Sequence, residues 1–200
     1  MGRMRRTEAP PLAGDAGYSR GKSRAGADRG SARPRTDSPQ NVGVPLARIS
    51  ADLSAILRTS EVHTALAYLN ARTRFRFTGI YRVDPPMLRN VHLFDRENPA
   101  LNISGKACPL DDTYCSITAG TDSPFATSEA GVDPRLVLHA ARDSVISYAG
   151  VPIRMTDGRV WGTLCHFDVR PRLIPAAEVP VLESVVALFA AWIGEAREKL

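Results

Sequence analysis

From position 45 onward the apolar residues follow first one period and then another. Leu46, Ile49, Leu53 and Ile56 recur at steps of three, four and three, a seam on one face of an α-helix. A second helix is predicted behind Ser60, with Val62, Ala65, Leu66 and Leu69 as its stripe. The stretch 75–81 then alternates and is rich in aromatics, as a strand should be. Pro85-Pro86 turns the chain, and 87–94 returns as the hairpin partner. Asp111-Asp112 is predicted to start a short helix that reaches Ala119 and stops at Gly120, with Asp112 as its cap. A brief strand is expected at 124–127, and Asp133-Pro134 caps a helix expected to run to Asp143. Two stronger strands, 144–155 and 159–168, are joined by Thr156-Asp157-Gly158. A closing helix carries Leu182, Val185, Val186, Phe189, Trp192, Ile193 and Ala196 on its apolar face. Strands that meet through hairpins rather than helical crossovers predict an α+β domain with an antiparallel sheet.

Composition alters this picture only at the N-terminus. The 200 residues hold 26 Lys and Arg against 21 Asp and Glu, a net charge of +5. Residues 1–40 contain nine of the basic and four of the acidic residues, leaving seventeen of each sign for 41–200. Their large apolar residues are Met1, Met4, Leu12 and Tyr18, too few to offset the entropy of ordering, so 1–43 is expected to be a disordered basic tail and 44–200 the domain. The basic excess therefore says little about the working domain, and no specific nucleic-acid partner is expected. No apolar stretch follows the N-terminal arginines as in a signal peptide. The most apolar run, 185–193, has nine residues against the roughly 18–20 that span a bilayer, so no membrane association is expected. A cytoplasmic setting follows as the expectation.

The candidate chemistry is sparse. Cys108, Cys115 and Cys165 cannot all pair within one chain, and no CxxC or CxxH spacing marks a zinc site. There is no glycine-rich phosphate loop and no paired-carboxylate spacing suited to acid–base work. If Asp112 caps its helix, the free N–H groups and positive dipole end beside it favour a small anionic or carboxylate ligand. The plainer alternative is a capped helix with Tyr114 and Cys115 packed in the core. A cysteine near that N-terminus can also have a lowered pKa, against the alternative of a buried inert thiol.

The residues 147–153, Ser-Tyr-Ala-Gly-Val-Pro-Ile, followed by Asp157-Gly158 and by 161–168, Trp-Gly-Thr-Leu-Cys-His-Phe-Asp, resemble the C-terminal half of a GAF domain. Upstream, 109–115, Pro-Leu-Asp-Asp-Thr-Tyr-Cys, is similar to the segment that opens the pocket helix in many bacterial GAF domains. The resemblance covers about 45–197. It implies a central antiparallel sheet of about six strands, terminal helices on one face, and on the other a ligand pocket roofed by short middle helices. It further implies a non-catalytic, small-molecule or signal-sensing module that signals through its terminal helices to a separate output protein and pairs through them as a homodimer.

On the last strand Trp161, Thr163, Cys165 and Phe167 share one face, and Val160, Leu164, His166 and Asp168 take the other. The run from Trp161-Gly162 through Cys165-His166 to Pro171-Arg172 is similar to phytochrome GAF domains, which favours the Trp161 face for the pocket. The attachment motifs for a bilin are absent, and no cofactor is indicated. His139, on a helix that would roof the pocket, is the best placed histidine. The resemblance thus implies a ligand-binding set of Asp112, Tyr114, Cys115, His139, Tyr148, Trp161, Thr163 and Cys165, with no catalytic or metal-ligating residue assigned. Two alternatives stand beside the sensor: a cysteine-dependent redox sensor or enzyme like the free methionine sulfoxide reductases, and a ligand-free dimerisation adaptor.

Overall fold

The computed structural model describes residues 44–198; the expected basic tail, 1–43, lies outside the described residues. Two helices open the domain, α1 (Leu46–Thr59) and α2 (Val62–Ala71). The residue before α2 is Glu61; Ser60, the expected cap, instead closes α1, its N–H donating to the Ile56 carbonyl. The hairpin β1 (Phe77–Asp84) and β2 (Met87–Asp95) follows, turning at Pro85-Pro86 as the sequence predicts. A three-residue strand, β3 (Ala107–Pro109), runs into a 3-10 turn (Leu110–Asp112) and then α3 (Tyr114–Thr121). After β4 (Phe125–Thr127) come two 3-10 turns, Pro134–Leu136 and Ala140–Asp143. The hairpin β5 (Ser147–Arg154) and β6 (Val160–Asp168) leads to the closing helix α4 (Glu178–Glu198). Gly158 takes a φ of 80° in the β5–β6 turn, a conformation that favours glycine.

All six strands form one antiparallel sheet in the order β3-β2-β1-β6-β5-β4. Each face has its own apolar core. On one, Ile49 and Leu53 of α1, Leu66 and Leu69 of α2, and Leu182, Val185 and Phe189 of α4 close over Ile80, Val151, Ile153 and Leu164. Each such buried side chain contributes about 1.5–3 kcal/mol relative to leaving it in water, so this packing fixes the three helices on the sheet. The seams of α1 and α4 are thereby spent largely within the chain: Ile49, Leu53, Leu182 and Phe189 are fully buried. On the other face Phe77, Tyr81, Leu88, Phe125, Tyr148 and Phe167 pack under α3 and the 3-10 turns.

Two expectations about helices are corrected here. The helix expected from Asp111 is split, because the 3-10 turn Leu110–Asp112 delays α3 until Tyr114 and gives the cap position to Thr113 rather than Asp112. The helix expected after Asp133 is two 3-10 turns; Asp133 does cap the first, accepting the Arg135 N–H at 3.0 Å. Val137 and Leu138 between them are exposed, so no apolar stripe holds that segment as an α-helix. Finally, Glu178–Ala196 has the length and mean hydropathy, 1.6, of a membrane span, which a count of the uninterrupted run 185–193 misses. In the fold, one face of this stretch is packed on the sheet.

Candidate functional site

Between the sheet and α3 lies a small cavity, lined by Tyr81, Leu88, Thr113, Tyr114, Cys115, Val145, Tyr148, Cys165 and Phe167. About 20 Å³ of it is open to the centres of water-sized molecules, room for about one water. Two glycines let its aromatic walls form. A side chain at Gly150 would collide with the Tyr148 hydroxyl and lie 2.6 Å from its Cζ, so the bare backbone allows this ring to fold flat over the sheet. Gly79 does the same for Tyr81, whose Cε2 would stand 2.8 Å from an added Cβ. Folded this way, the Tyr148 hydroxyl reaches Thr118 at 3.2 Å and the Cys115 Sγ at 3.5 Å.

The sulfur of Cys115 is the polar focus of the site. Besides the Tyr148 hydroxyl, the Thr163 hydroxyl donates to it at 3.1 Å, and the Cys165 thiol lines the same cavity beside it. The Cys165 thiol is the main influence holding the Cys115 thiol below the ordinary cysteine range, with Thr163 and Tyr148 adding to it against the opposing effect of burial. The direction is the one expected from a helix N-terminus, but the side-chain donors carry it. Burial pushes Cys165 and both tyrosines, Tyr81 and Tyr148, well upward. Cys108, on the edge strand β3, is pushed up to about 11, also by burial.

Two polar atoms beside the cavity lack a well-formed hydrogen bond, although the Asn90 side chain is close enough to hold the Tyr81 hydroxyl down against the upward push of burial. Tyr81 and Asn90 face each other across β1 and β2, yet neither the Tyr81 hydroxyl nor the Asn90 Oδ1 makes a hydrogen bond of normal length and angle. Both residues are buried, at 4% and 7% exposure, where an unpaired polar group costs about 1–3 kcal/mol.

The remaining candidate residues fall in different places. Tyr114, Cys115, Tyr148 and Cys165 line the cavity, and Thr163 stands behind the Cys115 sulfur. Asp112 lies in the 3-10 turn ahead of α3 and does not line the cavity. His139 packs its ring on Tyr114 at 4.8 Å and accepts the Ala141 N–H at its Nδ1, outside the lining. Trp161 is on the opposite face, packed against the helix-side core. The pairing shifts there: Ile153 faces Gly162 and Arg154 faces Val160, so Trp161 is the extra residue of a β-bulge. Such a bulge re-aims one side chain, and strict alternation fails at that point. Tyr81, Leu88, Thr113, Val145 and Phe167 line the cavity without being in the expected set, although alternation places Phe167 on the right face and Gly79 and Tyr81 two positions apart on a strand are a readable pair.

Behind the cavity, on the helix side of β6, runs a second polar chain. Asn70 Nδ2 donates to the Thr78 hydroxyl at 2.8 Å, the Thr78 hydroxyl meets His166 Nδ1 at 2.7 Å, and His166 Nε2 meets Glu178 Oε1 at 3.1 Å. One arrangement satisfies every group: the Thr78 hydroxyl accepts from Asn70 and donates to Nδ1, and Nε2 carries the proton toward Glu178. All four residues are buried, so the start of α4 is tied to the strand that carries Thr163 and Cys165. Among the described residues no group of three or more His, Cys, Asp or Glu stands at metal-binding spacing.

These features define a class: an α+β domain with a helical layer on one sheet face and a small roofed cavity on the other. The chain belongs to the GAF domain family, whose model matches residues 46–193. No curated protein matches it. Among solved structures it is similar to a free methionine-R-sulfoxide reductase from Neisseria meningitidis in complex with its substrate, at 15% identity and a TM-score of 0.59 over 78% of this chain and 92% of that one. The GAF domain of an Acinetobacter phosphoenolpyruvate-protein phosphotransferase matches at 15% identity and a TM-score of 0.59, over 76% of this chain and 94% of that one. The chromophore-binding domain of a bacteriophytochrome from R. palustris matches at 14% identity and a TM-score of 0.56, over 76% of this chain and 61% of that one. At these identities the likeness concerns the fold.

Proposed function

We propose that this chain is a non-catalytic sensory domain that takes a small, neutral, polar ligand beneath α3 and passes the change to its terminal helices. The observation that supports this reading is the pair without a well-formed hydrogen bond, Tyr81 hydroxyl and Asn90 Oδ1, beside a small, largely apolar cavity. A ligand offering one donor and one acceptor would satisfy both. No cationic side chain lines the cavity, so an anionic ligand has only the first turn of α3 in its favour. Relay is through β6, where Thr163 and Cys165 face the site and His166, between them and α4, holds Glu178. Output is to a separate protein, with homodimerisation through the outer faces of α1 and α4 as part of the same proposal.

The ligand-free adaptor is a second reading, favoured by the small size of the cavity. A methionine sulfoxide would not fit the cavity as it stands, which sets the reductase alternative behind both. Native mass spectrometry of the freshly purified full chain looks for a retained mass. Thermal unfolding with formamide, acetamide and propionamide then looks for stabilisation that fades as size increases. No retained mass and no shift with any of them would leave the adaptor.

A further inference from the structure

The two buried thiols at the cavity invite a different question, independent of whether a ligand binds there. Cys115 begins the first turn of α3 and Cys165 lies near the end of β6, 50 positions later in the chain, yet the fold brings both to the wall of one small cavity, close enough for the two thiols to act on each other. Residues that only fill a core do not need two hydroxyl donors aimed at one sulfur. Here Thr163 and Tyr148 both donate to Cys115, with the Cys165 thiol beside it, an arrangement that stabilises negative charge on that sulfur. A thiolate is the nucleophilic form of cysteine, and a second thiol in contact with it is placed to resolve an oxidised intermediate.

We propose that Cys115 and Cys165 form a two-electron redox pair that hydrogen peroxide converts to a disulfide. Size selects this class of oxidant. The cavity beside Cys115 has room for about one water, which shuts out glutathione-sized disulfides from the folded protein and leaves the smallest peroxide. In the first step the Cys115 sulfur attacks one peroxide oxygen. The S–O bond forms, the O–O bond breaks, and the departing hydroxide takes the proton that Cys115 gave up, leaving sulfenic acid and water. In the second step the Cys165 sulfur attacks the Cys115 sulfur. The S–S bond forms, the S–O bond breaks, and the leaving hydroxide takes the Cys165 proton as a second water. The two thiols are oxidised by two electrons in total and one peroxide is reduced to two waters.

The structural consequence is local and directed. A disulfide brings the sulfurs to about 2.05 Å, so oxidation draws the first turn of α3 toward β6 and removes the acceptor shared by Thr163 and Tyr148. Cys108 provides an internal control. It is the more exposed thiol, but it stands on edge strand β3, and burial there pushes it up to about 11. Ordinary accessibility would make Cys108 the first to oxidise; the donor geometry gives the opposite order.

The test is peroxide titration of the native, reduced full chain, followed by alkylation and peptide mapping. The expected result is a Cys115–Cys165 linked peptide, reversed by dithiothreitol, with Cys108 still alkylated. In Cys165→Ala the reaction should stop at a sulfenic acid on Cys115 that dimedone traps when the peroxide-treated protein is unfolded in its presence. Thr163→Val, which removes one neutral donor, should slow disulfide formation by about fivefold. Modification confined to Cys108, over-oxidation of Cys115 without the linked peptide, or loss of the buried thiols only in urea would each overturn the proposal. The wild-type peptide map decides the matter even if a variant fails to fold.

Discussion

Gly150→Ala is the substitution that probes most sharply how the cavity wall is built. Its Cβ would overlap the Tyr148 hydroxyl and stand 2.6 and 2.8 Å from two ring carbons, so the ring must lift off the sheet. Overpacking of this kind costs about 1–3 kcal/mol. Moving the ring also breaks the Thr118 contact at 3.2 Å and weakens the Cys115 contact at 3.5 Å, at about 1 kcal/mol for a neutral bond. Alanine returns about 0.5–1 kcal/mol by restricting the unfolded chain. The net expectation is destabilisation of about 2 kcal/mol, which lowers Tm by about 4–8 °C in a domain of this size. Urea unfolding of the wild type, Gly150→Ala, Tyr148→Ala and the double variant measures the coupling directly. In the Tyr148→Ala background the ring is gone, so Gly150→Ala should become neutral or slightly stabilising. An equal cost in both backgrounds would refute the idea that glycine is there to seat the tyrosine.

Further expectations follow from other parts of the fold. Thr163→Val should raise the pH at which the Cys115 thiolate forms, read by its ultraviolet absorbance, whereas Trp161→Leu, on the far side of the bulge, should leave it unchanged. Glu178→Ala strands the His166 Nε2 proton in the core and should cost about 1–3 kcal/mol in chemical denaturation; Glu178→Gln, which keeps an acceptor, should cost less. Burial pushes the Asp95 carboxyl upward, but the Arg76 guanidinium and the Asn98 and Glu97 N–H groups outweigh it and hold the pKa below the ordinary carboxylate value. A depressed folded pKa gives stability that is present above the unfolded value of about 3.9 and is lost as pH falls through the folded one. Arg76→Met should therefore flatten the acid limb of the stability–pH profile.

The parts of this structure that read directly from the sequence are those set by local periodicity. The step pattern of Ile49, Leu53 and Leu182, Phe189 gave helices with the right faces inward, and alternation along β6 placed Thr163, Cys165 and Phe167 together. Trp161 broke the same rule because two residues, Val160 and Trp161, oppose Arg154, and a bulge depends on the partner strand. Asp112 was displaced from the cap by a 3-10 turn, whose tighter winding is set by packing rather than by residue preference. Strand β3 is three residues long and includes a proline, too short for any period to show. The meeting of Cys115 with Cys165 joins stretches 50 positions apart and emerges only once strand order is known, and the pairing of Tyr81 with Asn90 depends on a register shift at Ile80/Tyr81 inside an otherwise legible hairpin.

The central proposal is that the unsatisfied Tyr81 hydroxyl waits for a ligand beneath α3. Thermal unfolding of wild type and Tyr81→Phe, each with and without formamide, tests it most directly. The account predicts that Tyr81→Phe is neutral or stabilising without the amide, since a buried unpaired hydroxyl is removed, and that it abolishes the amide-dependent rise in Tm. A Tyr81→Phe protein that is destabilised on its own and still gains the full rise would contradict it.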